Sequence, residues 1–152
     1  MAKIRTAEAT WTGDLREGRG TMRLGSGSWE GAYSFGTRME DEPGSNPEEL
    51  IGAALAGCFS MALSNALSKA GHVPTRVHTT ARVEFGPAAS GGFAISRIGL
   101  ELEAEVPGIA EAEFQRLAEE TKSACPVSKA LTGTEITLQG RLVSAPGRAA
   151  AD

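Results

Sequence analysis

The two cysteines, Cys58 and Cys125, are the residues with the most distinctive chemistry in this sequence. Cys58 falls in an uncharged stretch with helical character, where an isolated cysteine is usually a small apolar core residue. Cys125 precedes Pro126 at the start of a predicted helical turn, where free N–H groups favour a thiolate, although alone it would be read as a chance cap residue. Together they suggest a thiol that attacks a peroxide and a second thiol that resolves the product. The two cysteines are far apart in sequence, so only the fold can bring them into contact.

A thiol inside a helix needs a nearby cation, because desolvation raises its pKa and only the thiolate is nucleophilic. Arg38 is a candidate, since it follows a strand predicted to end near Phe35 and a guanidinium can contact both a thiolate and a peroxide oxygen. Glu48 could hold that arginine through a bidentate pair. The simpler interpretations are a solvated loop side chain for Arg38 and an acid that complements the helix dipole for Glu48. We expect Cys58 to be buried and Cys125 to be more accessible.

Metal binding is the other chemistry that cysteines support, with His72 and His78 as possible further ligands. Neither CxxC nor HxxxH spacing occurs, so the sequence argues against a zinc site. The glycine-rich nucleotide motifs and the GxSxG motif are also missing. A net charge of -4 without a basic stripe argues against a nucleic-acid partner.

Length and composition predict one soluble globular domain. The chain has 152 residues, of which 41% are hydrophobic and 22% are charged. The first residues lack the apolar run of a secretory signal, which predicts a cytoplasmic protein with reduced thiols. We expect residues 1–145 to form a single domain and residues 146–152 to be a disordered tail.

The element pattern predicts an α+β fold. Three short strands are expected over residues 4–11, 20–24 and 29–35, and an acidic loop over 39–46. Asn46 as N-cap and Pro47 as first residue predict a helix over 47–70. Strands over 76–85 and 93–106, a helix over 110–124, a helical turn to Leu131 and a strand over 134–143 complete the chain.

The predicted central helix has no charged residue between Leu50 and Ser68. Its glycines, serines and alanines are too small and too polar for a membrane span. A helix without a charged face must be buried nearly all round, and one sheet covers only one side of it. We therefore expect a second subunit on the other side, where Gly52 and Gly57 could let another helix come close, although small residues also suit packing against the chain's own sheet.

Two stretches resemble the OsmC/Ohr family of osmotically inducible and organic hydroperoxide resistance proteins. Asn46–Ser64, with Gly-Cys-Phe-Ser at its centre, is similar to the family's central helix. Cys125–Leu131, with the order Cys-Pro-Val-Ser-Lys-Ala-Leu, is similar to its second cysteine site. Tyr33–Arg38 and Val106–Ile109 match the OsmC branch better than the Ohr branch.

The resemblance implies an intertwined α+β homodimer, in which long buried central helices are wrapped by antiparallel sheets from both subunits. It also implies an oxidative and osmotic stress hydroperoxidase that uses no metal, haem or flavin. Cys58 would be the peroxidatic cysteine, Cys125 the resolving cysteine, Arg38 the thiolate and peroxide partner, and Glu48 the residue that positions the arginine. The reductant would be a dithiol or a lipoylated protein.

Other functions stay open at this stage. A protein with the same fold could bind an apolar ligand or serve a structural role in stress, with both cysteines as inert core. A thiol–disulfide oxidoreductase acting on proteins is disfavoured because CxxC is missing. If the peroxidase assignment holds, an apolar pocket lined by residues such as Phe35, Phe59 and Met61 would favour organic peroxides.

Overall fold

The computed structural model of the protein describes residues 1–144, so the predicted tail over 146–152 lies outside the described residues. The chain divides into two compact units, Met1–Leu50 and the part from Ile51 onward. The single domain over residues 1–145 therefore stays a prediction.

The first unit contains an antiparallel sheet in the order β1, β2, β3. These strands are β1 (Ala7–Thr12), β2 (Arg19–Leu24) and β3 (Glu30–Tyr33). Gly20 on the middle strand pairs with Trp11 on one side and Tyr33 on the other. A Cβ atom at Gly20 would come within 2.4 Å of the Tyr33 ring, so glycine allows the Trp11 and Tyr33 rings to approach to 5.3 Å between centroids. The predicted meander is confirmed, with its ends shifted by a few residues.

A short helix, α1 (Phe35–Met39), follows the third strand where the sequence predicted the end of a strand and the start of a loop. That prediction was wrong. Ser34 caps the helix, because its hydroxyl accepts from the Thr37 N–H and the Thr37 hydroxyl in turn accepts from the Ser34 N–H. The capping box fixes the chain direction at this point and places Arg38 on a turn of helix.

The long helix α2 (Pro47–Lys69) has 23 residues and begins where predicted. The Asn46 side chain accepts from the Glu49 N–H at 2.8 Å, which caps the helix, and Glu48 and Glu49 in the first turn complement its dipole. Among the described helices, α2 is the one that is long and apolar enough for a membrane span by length and composition.

The second unit contains a sheet in the order β4, β5, β6. The strands are β4 (Arg76–Pro87), β5 (Phe93–Glu105) and β6 (Glu135–Leu142), with α3 (Glu111–Ala124) and α4 (Pro126–Ala130) between the last two. The β4–β5 hairpin is antiparallel as predicted, but β6 runs parallel to β5. The expectation of antiparallel sheets was therefore wrong for this sheet. The α3–α4 connection carries the chain back across the sheet, as a parallel pairing requires.

One face of α2 packs into the core of the second unit. Four of its side chains are fully buried there, namely Leu55, Phe59, Leu63 and Leu67. These four side chains belong to one hydrophobic cluster that also contains Ile98, Leu100, Leu102 and Phe114. Gly52 also faces this sheet, since a Cβ there would meet Val83 at 3.2 Å.

The opposite face of α2 is exposed in the single chain. It carries the small or apolar residues Ala53, Ala54, Gly57 and Met61, and Met61 is 78% exposed. A Cβ atom at Gly57 would meet nothing within 4 Å. A helix that is uncharged from Leu50 to Ser68 and has one open face has the pattern expected of a surface that contacts another protein surface.

Candidate active site

The two cysteines, which are distant in sequence, are in contact in the second unit. Cys58 lies in the middle of α2 and Cys125 immediately precedes Pro126 at the start of α4. Their sulfur atoms are 2.8 Å apart and form a hydrogen-bonded thiol pair. A disulfide between them therefore needs little movement of either helix.

The surroundings shift the two thiols in opposite directions. Burial, and then the hydrogen bond with Cys125, raise the pKa of Cys58 above its ordinary value. Burial also raises the pKa of Cys125, but the hydrogen bond with Cys58 and the donor groups that favour the anion, namely the Ser128 and Val127 N–H groups and the Ser128 hydroxyl, together lower it. Cys125 is therefore the thiol of the pair that ionises more readily, and a nearby cation would favour ionisation of Cys58.

The accessibility of the two sulfurs is the reverse of the sequence prediction. Cys125 is only 1% exposed, whereas Cys58 is partly exposed. The prediction was wrong because it considered each cysteine alone. Cys125 packs in the hydrophobic cluster under α2 and α3, while Cys58 lies at the edge of that cluster. A molecule from solvent reaches Cys58 more readily than Cys125.

Arg38 and Glu48 form the second predicted pair, and both belong to the first unit. The Arg38 Nη2 donates to Glu48 Oε1 at 2.8 Å, and the Arg38 Nε lies 3.2 Å and 3.3 Å from the two carboxylate oxygens. The Glu48 side chain is 9% exposed and the Arg38 side chain 38% exposed. The carboxylate thus holds the guanidinium from α1 in a fixed orientation, and the Arg38 side chain stays partly exposed to solvent.

An apolar cavity of about 250 Å³ lies beside Arg38 within the first unit. Its lining comprises Trp11, Leu15, Tyr33, Ser34, Phe35, Arg38 and Met39. The Arg16 guanidinium stacks over the Phe35 ring at 5.0 Å and fixes that ring at the cavity.

The cavity differs from the predicted pocket in two of its three residues. Phe35 lines it, whereas Phe59 is buried in the core of the second unit and Met61 is on the exposed face of α2. Trp11 and Tyr33 were missed as lining residues. The sequence places both aromatic residues in the predicted meander. Only the strand register shows that they lie on either side of Gly20.

His72 and His78 belong to no metal-binding group among the residues that the structure describes. Within residues 1–144, no three His, Cys, Asp or Glu side chains are arranged to hold a metal ion. His72 instead lies 3.4 Å from Glu113, and His78 contacts Thr80.

The fold and the thiol pair define a class of protein, an α+β protein with two thiols in contact, one of them on a long apolar helix. A family model described as OsmC-like protein matches residues 39–139. The chain belongs to the OsmC-like protein family, which confirms the family resemblance and the α+β fold class.

Named relatives and solved structures agree with this assignment. Peroxiredoxin OsmC of Escherichia coli (strain K12) is 47% identical over 145 residues, which cover 95% of this chain and 100% of that protein. Organic hydroperoxide resistance protein OhrA of Bacillus subtilis (strain 168) is 30% identical over 100 residues, covering 64% of this chain and 68% of that protein. The crystal structure of an organic hydroperoxide resistance protein from Elizabethkingia anophelis has a TM-score of 0.72 and 29% identity, covering 94% of this chain and 100% of that one.

Proposed function

We propose that this protein is a thiol-dependent peroxidase that reduces organic hydroperoxides, and hydrogen peroxide less well. The observation that carries the proposal is the 2.8 Å separation of the Cys58 and Cys125 sulfur atoms. Relatives named peroxiredoxin OsmC and organic hydroperoxide resistance protein support the same activity. An inert pair of core cysteines would have no need of one partly exposed sulfur beside one buried sulfur.

Cys58 is the peroxidatic cysteine in this proposal, because its sulfur is the more exposed of the two. Its thiolate attacks the distal oxygen of the hydroperoxide, the O–O bond breaks, and the alcohol or water leaves after taking a proton. The product is a sulfenic acid at Cys58. The Cys125 thiol then attacks that sulfur, water leaves, and a disulfide forms. A dithiol or lipoylated protein, oxidised in turn to its own disulfide, restores both thiols.

In this proposal Arg38 supplies a cation to Cys58, and Glu48 orients it. The raised pKa of Cys58 supports the need for such a cation. Glu48 and Cys58 are ten positions apart on an unbroken helix, which is about 15 Å, so one arginine cannot contact both within one straight helix. We favour a homodimer in which antiparallel α2 helices bring Arg38 and Glu48 of one subunit to Cys58 of the other. The exposed apolar face of α2 supports such a dimer.

The cavity beside Arg38 gives a reason for a preference for organic substrates. Aromatic rings of Trp11, Tyr33 and Phe35 would bury the organic group while Arg38 contacts the peroxide oxygens. Hydrogen peroxide has no organic group to bury, so it would gain only the contact with Arg38. The reductant and the cytoplasmic location are part of the same proposal, since the cycle needs a pool of dithiols.

Thiol titration before and after one equivalent of cumene hydroperoxide tests the proposed activity. A peroxidase loses two thiols per chain, and a Cys58→Ser variant loses none. An apolar-ligand-binding or structural protein would keep both thiols, which would refute the proposal.

Isolated heterodimers test the shared site. A Cys58→Ser chain paired with a Glu48→Ala chain collects both lesions in one site if the site is shared, and leaves the other site intact. Activity near half that of the wild type is then expected. A heterodimer no more active than its two parents would show that each chain builds its own site.

A further inference from the structure

Ser128 is a buried side chain to which the mechanism above assigns no role. It lies on α4, three residues after Cys125, and is 5% exposed. With both cysteines as neutral thiols, its Oγ makes no hydrogen bond within residues 1–144. Buried hydroxyl groups are nearly always hydrogen-bonded, because an unpaired one loses its contacts with water and gains nothing in return.

A neighbouring hydroxyl shows the usual arrangement. Thr121 is also 5% exposed, and its Oγ1 donates to the Leu117 carbonyl at 2.7 Å. Ser128 also lies on a turn of helix, but its hydroxyl makes no such hydrogen bond to a backbone carbonyl. Its hydroxyl is therefore available to donate to an acceptor that forms during the reaction cycle.

The Cys125 thiolate is the partner that fits. The hydroxyl of Ser128 is one of the groups that favour the anion at Cys125, together with the N–H groups of Val127 and Ser128. A thiol is a weak acceptor, whereas a thiolate is a strong one, so the hydroxyl gains its hydrogen bond when Cys125 loses its proton.

We propose that Ser128 is a positioning residue whose hydroxyl donates a hydrogen bond to the Cys125 thiolate and so controls how readily Cys125 enters and leaves the disulfide. The hydrogen bond is independent of the peroxidase activity, but its role in turnover depends on the proposed function.

The hydrogen bond acts in two steps of the cycle. During resolution it increases the fraction of Cys125 that is ionised and able to attack the sulfenic acid of Cys58, from which hydroxide leaves and takes a proton to become water. During reduction, an external thiolate attacks the more exposed Cys58 sulfur, and the disulfide electron pair leaves on Cys125. A second thiol of the reductant then attacks the mixed disulfide and releases Cys58. Ser128 stabilises the anion that departs first, and a leaving thiol of lower pKa departs faster.

Titration of Cys125 as the single thiol tests the hydrogen bond directly. In a Cys58→Ser chain, the ultraviolet absorbance of the thiolate is followed against pH with and without Ser128→Ala. Loss of a hydrogen bond to a charged group should raise the pKa of Cys125 by about one unit, which is about a tenfold loss of thiolate near neutral pH. Ser128→Thr keeps the hydroxyl and should restore the lower pKa.

Thr121→Val is the matched control, because it removes a buried hydroxyl that is already paired with a carbonyl. It should leave the pKa of Cys125 unchanged. An unchanged pKa in Ser128→Ala would overturn the proposal. Ser128→Ala is expected to fold, because alanine has the highest helix propensity and fits the space that serine leaves.

Kinetics separate this proposal from the proposed activity. Ser128→Ala should slow the reduction of the oxidised protein by dithiothreitol several-fold, while in a Cys125→Ser chain it should leave the reaction of Cys58 with peroxide unchanged. A raised pKa in a protein without peroxidase activity would support the hydrogen bond and refute the activity. Unchanged reduction kinetics in an active protein would refute the role of Ser128 in turnover.

Discussion

Removal of Arg38 should cost stability as well as activity, because it leaves the Glu48 carboxylate buried without its cation. Breaking a fully buried ion pair costs about 3–5 kcal/mol, whereas an exposed pair contributes at most about 1 kcal/mol. The pair here lies between these limits, with Glu48 9% exposed and Arg38 38% exposed. We expect Arg38→Ala to lower the free energy of unfolding by about 2 kcal/mol.

Urea denaturation at a fixed protein concentration measures this cost, since stability of an oligomer depends on concentration. A loss of about 2 kcal/mol should lower the urea midpoint by about 1 M. Adding Glu48→Gln to Arg38→Ala removes the unpaired charge and should recover part of the loss. The exposed pair Arg82–Glu101 is the control, and Arg82→Ala should leave the midpoint unchanged within error.

The same variants separate stability from catalysis. Arg38→Ala should lower the second-order rate with hydroperoxide by at least ~100-fold, the size of effect seen when a charge-stabilising donor is lost. The double variant should recover part of the stability without recovering the rate. Arg38→Lys should recover little of the rate, because a point charge lacks the guanidinium fork. If Arg38→Ala lost as much stability alone as in combination with Glu48→Gln, the reasoning about the buried charge would be refuted. An unchanged rate in Arg38→Ala would refute the role of the arginine.

Three further outcomes are expected. Cys58→Ser should abolish turnover, while Cys125→Ser should consume about one equivalent of peroxide and then stall as a sulfenic acid or over-oxidise, as mass spectrometry would show; turnover by Cys58→Ser would reverse the assignment. Met61→Glu on the exposed face of α2 should weaken the dimer in sedimentation equilibrium, while Val73→Glu, at a similarly exposed position, should not; an unaffected dimer would place the interface elsewhere. Phe35→Ala should lower kcat/KM about tenfold for cumene hydroperoxide and little for hydrogen peroxide, and equal losses would exclude the cavity as the substrate pocket.

Local signals predicted most of the elements correctly. The start of α2 was predictable because Asn46 and Pro47 act on backbone groups within three residues. The alternation of leucines and glutamates in β5 was equally clear, because successive side chains of a strand point to opposite faces. Helix α1 was missed because five residues are too few for a period to show, and its capping box overrides a sequence that reads as the end of a strand.

Long-range features were not predictable in the same way. The direction of β6 depends on where α3 and α4 return the chain, and a strand's own residues read alike in parallel and antiparallel pairing. The exposure of the cysteines depends on which side chains surround each sulfur, so the prediction from neighbouring residues placed the buried thiol at the wrong cysteine.

The sequence by itself determined which functional groups the protein has, namely two thiols, an arginine and a carboxylate, and that a capped helix is uncharged from Leu50 to Ser68. Only the tertiary structure decided that the Cys58 and Cys125 sulfur atoms lie 2.8 Å apart and that Cys125 is the buried and more acidic thiol. It also decided that Glu48 forms an ion pair with Arg38. The physical reason is the range of the interactions. Caps and strand alternation act over a few residues, whereas burial, pKa and sulfur contact depend on atoms from segments that are distant in the chain.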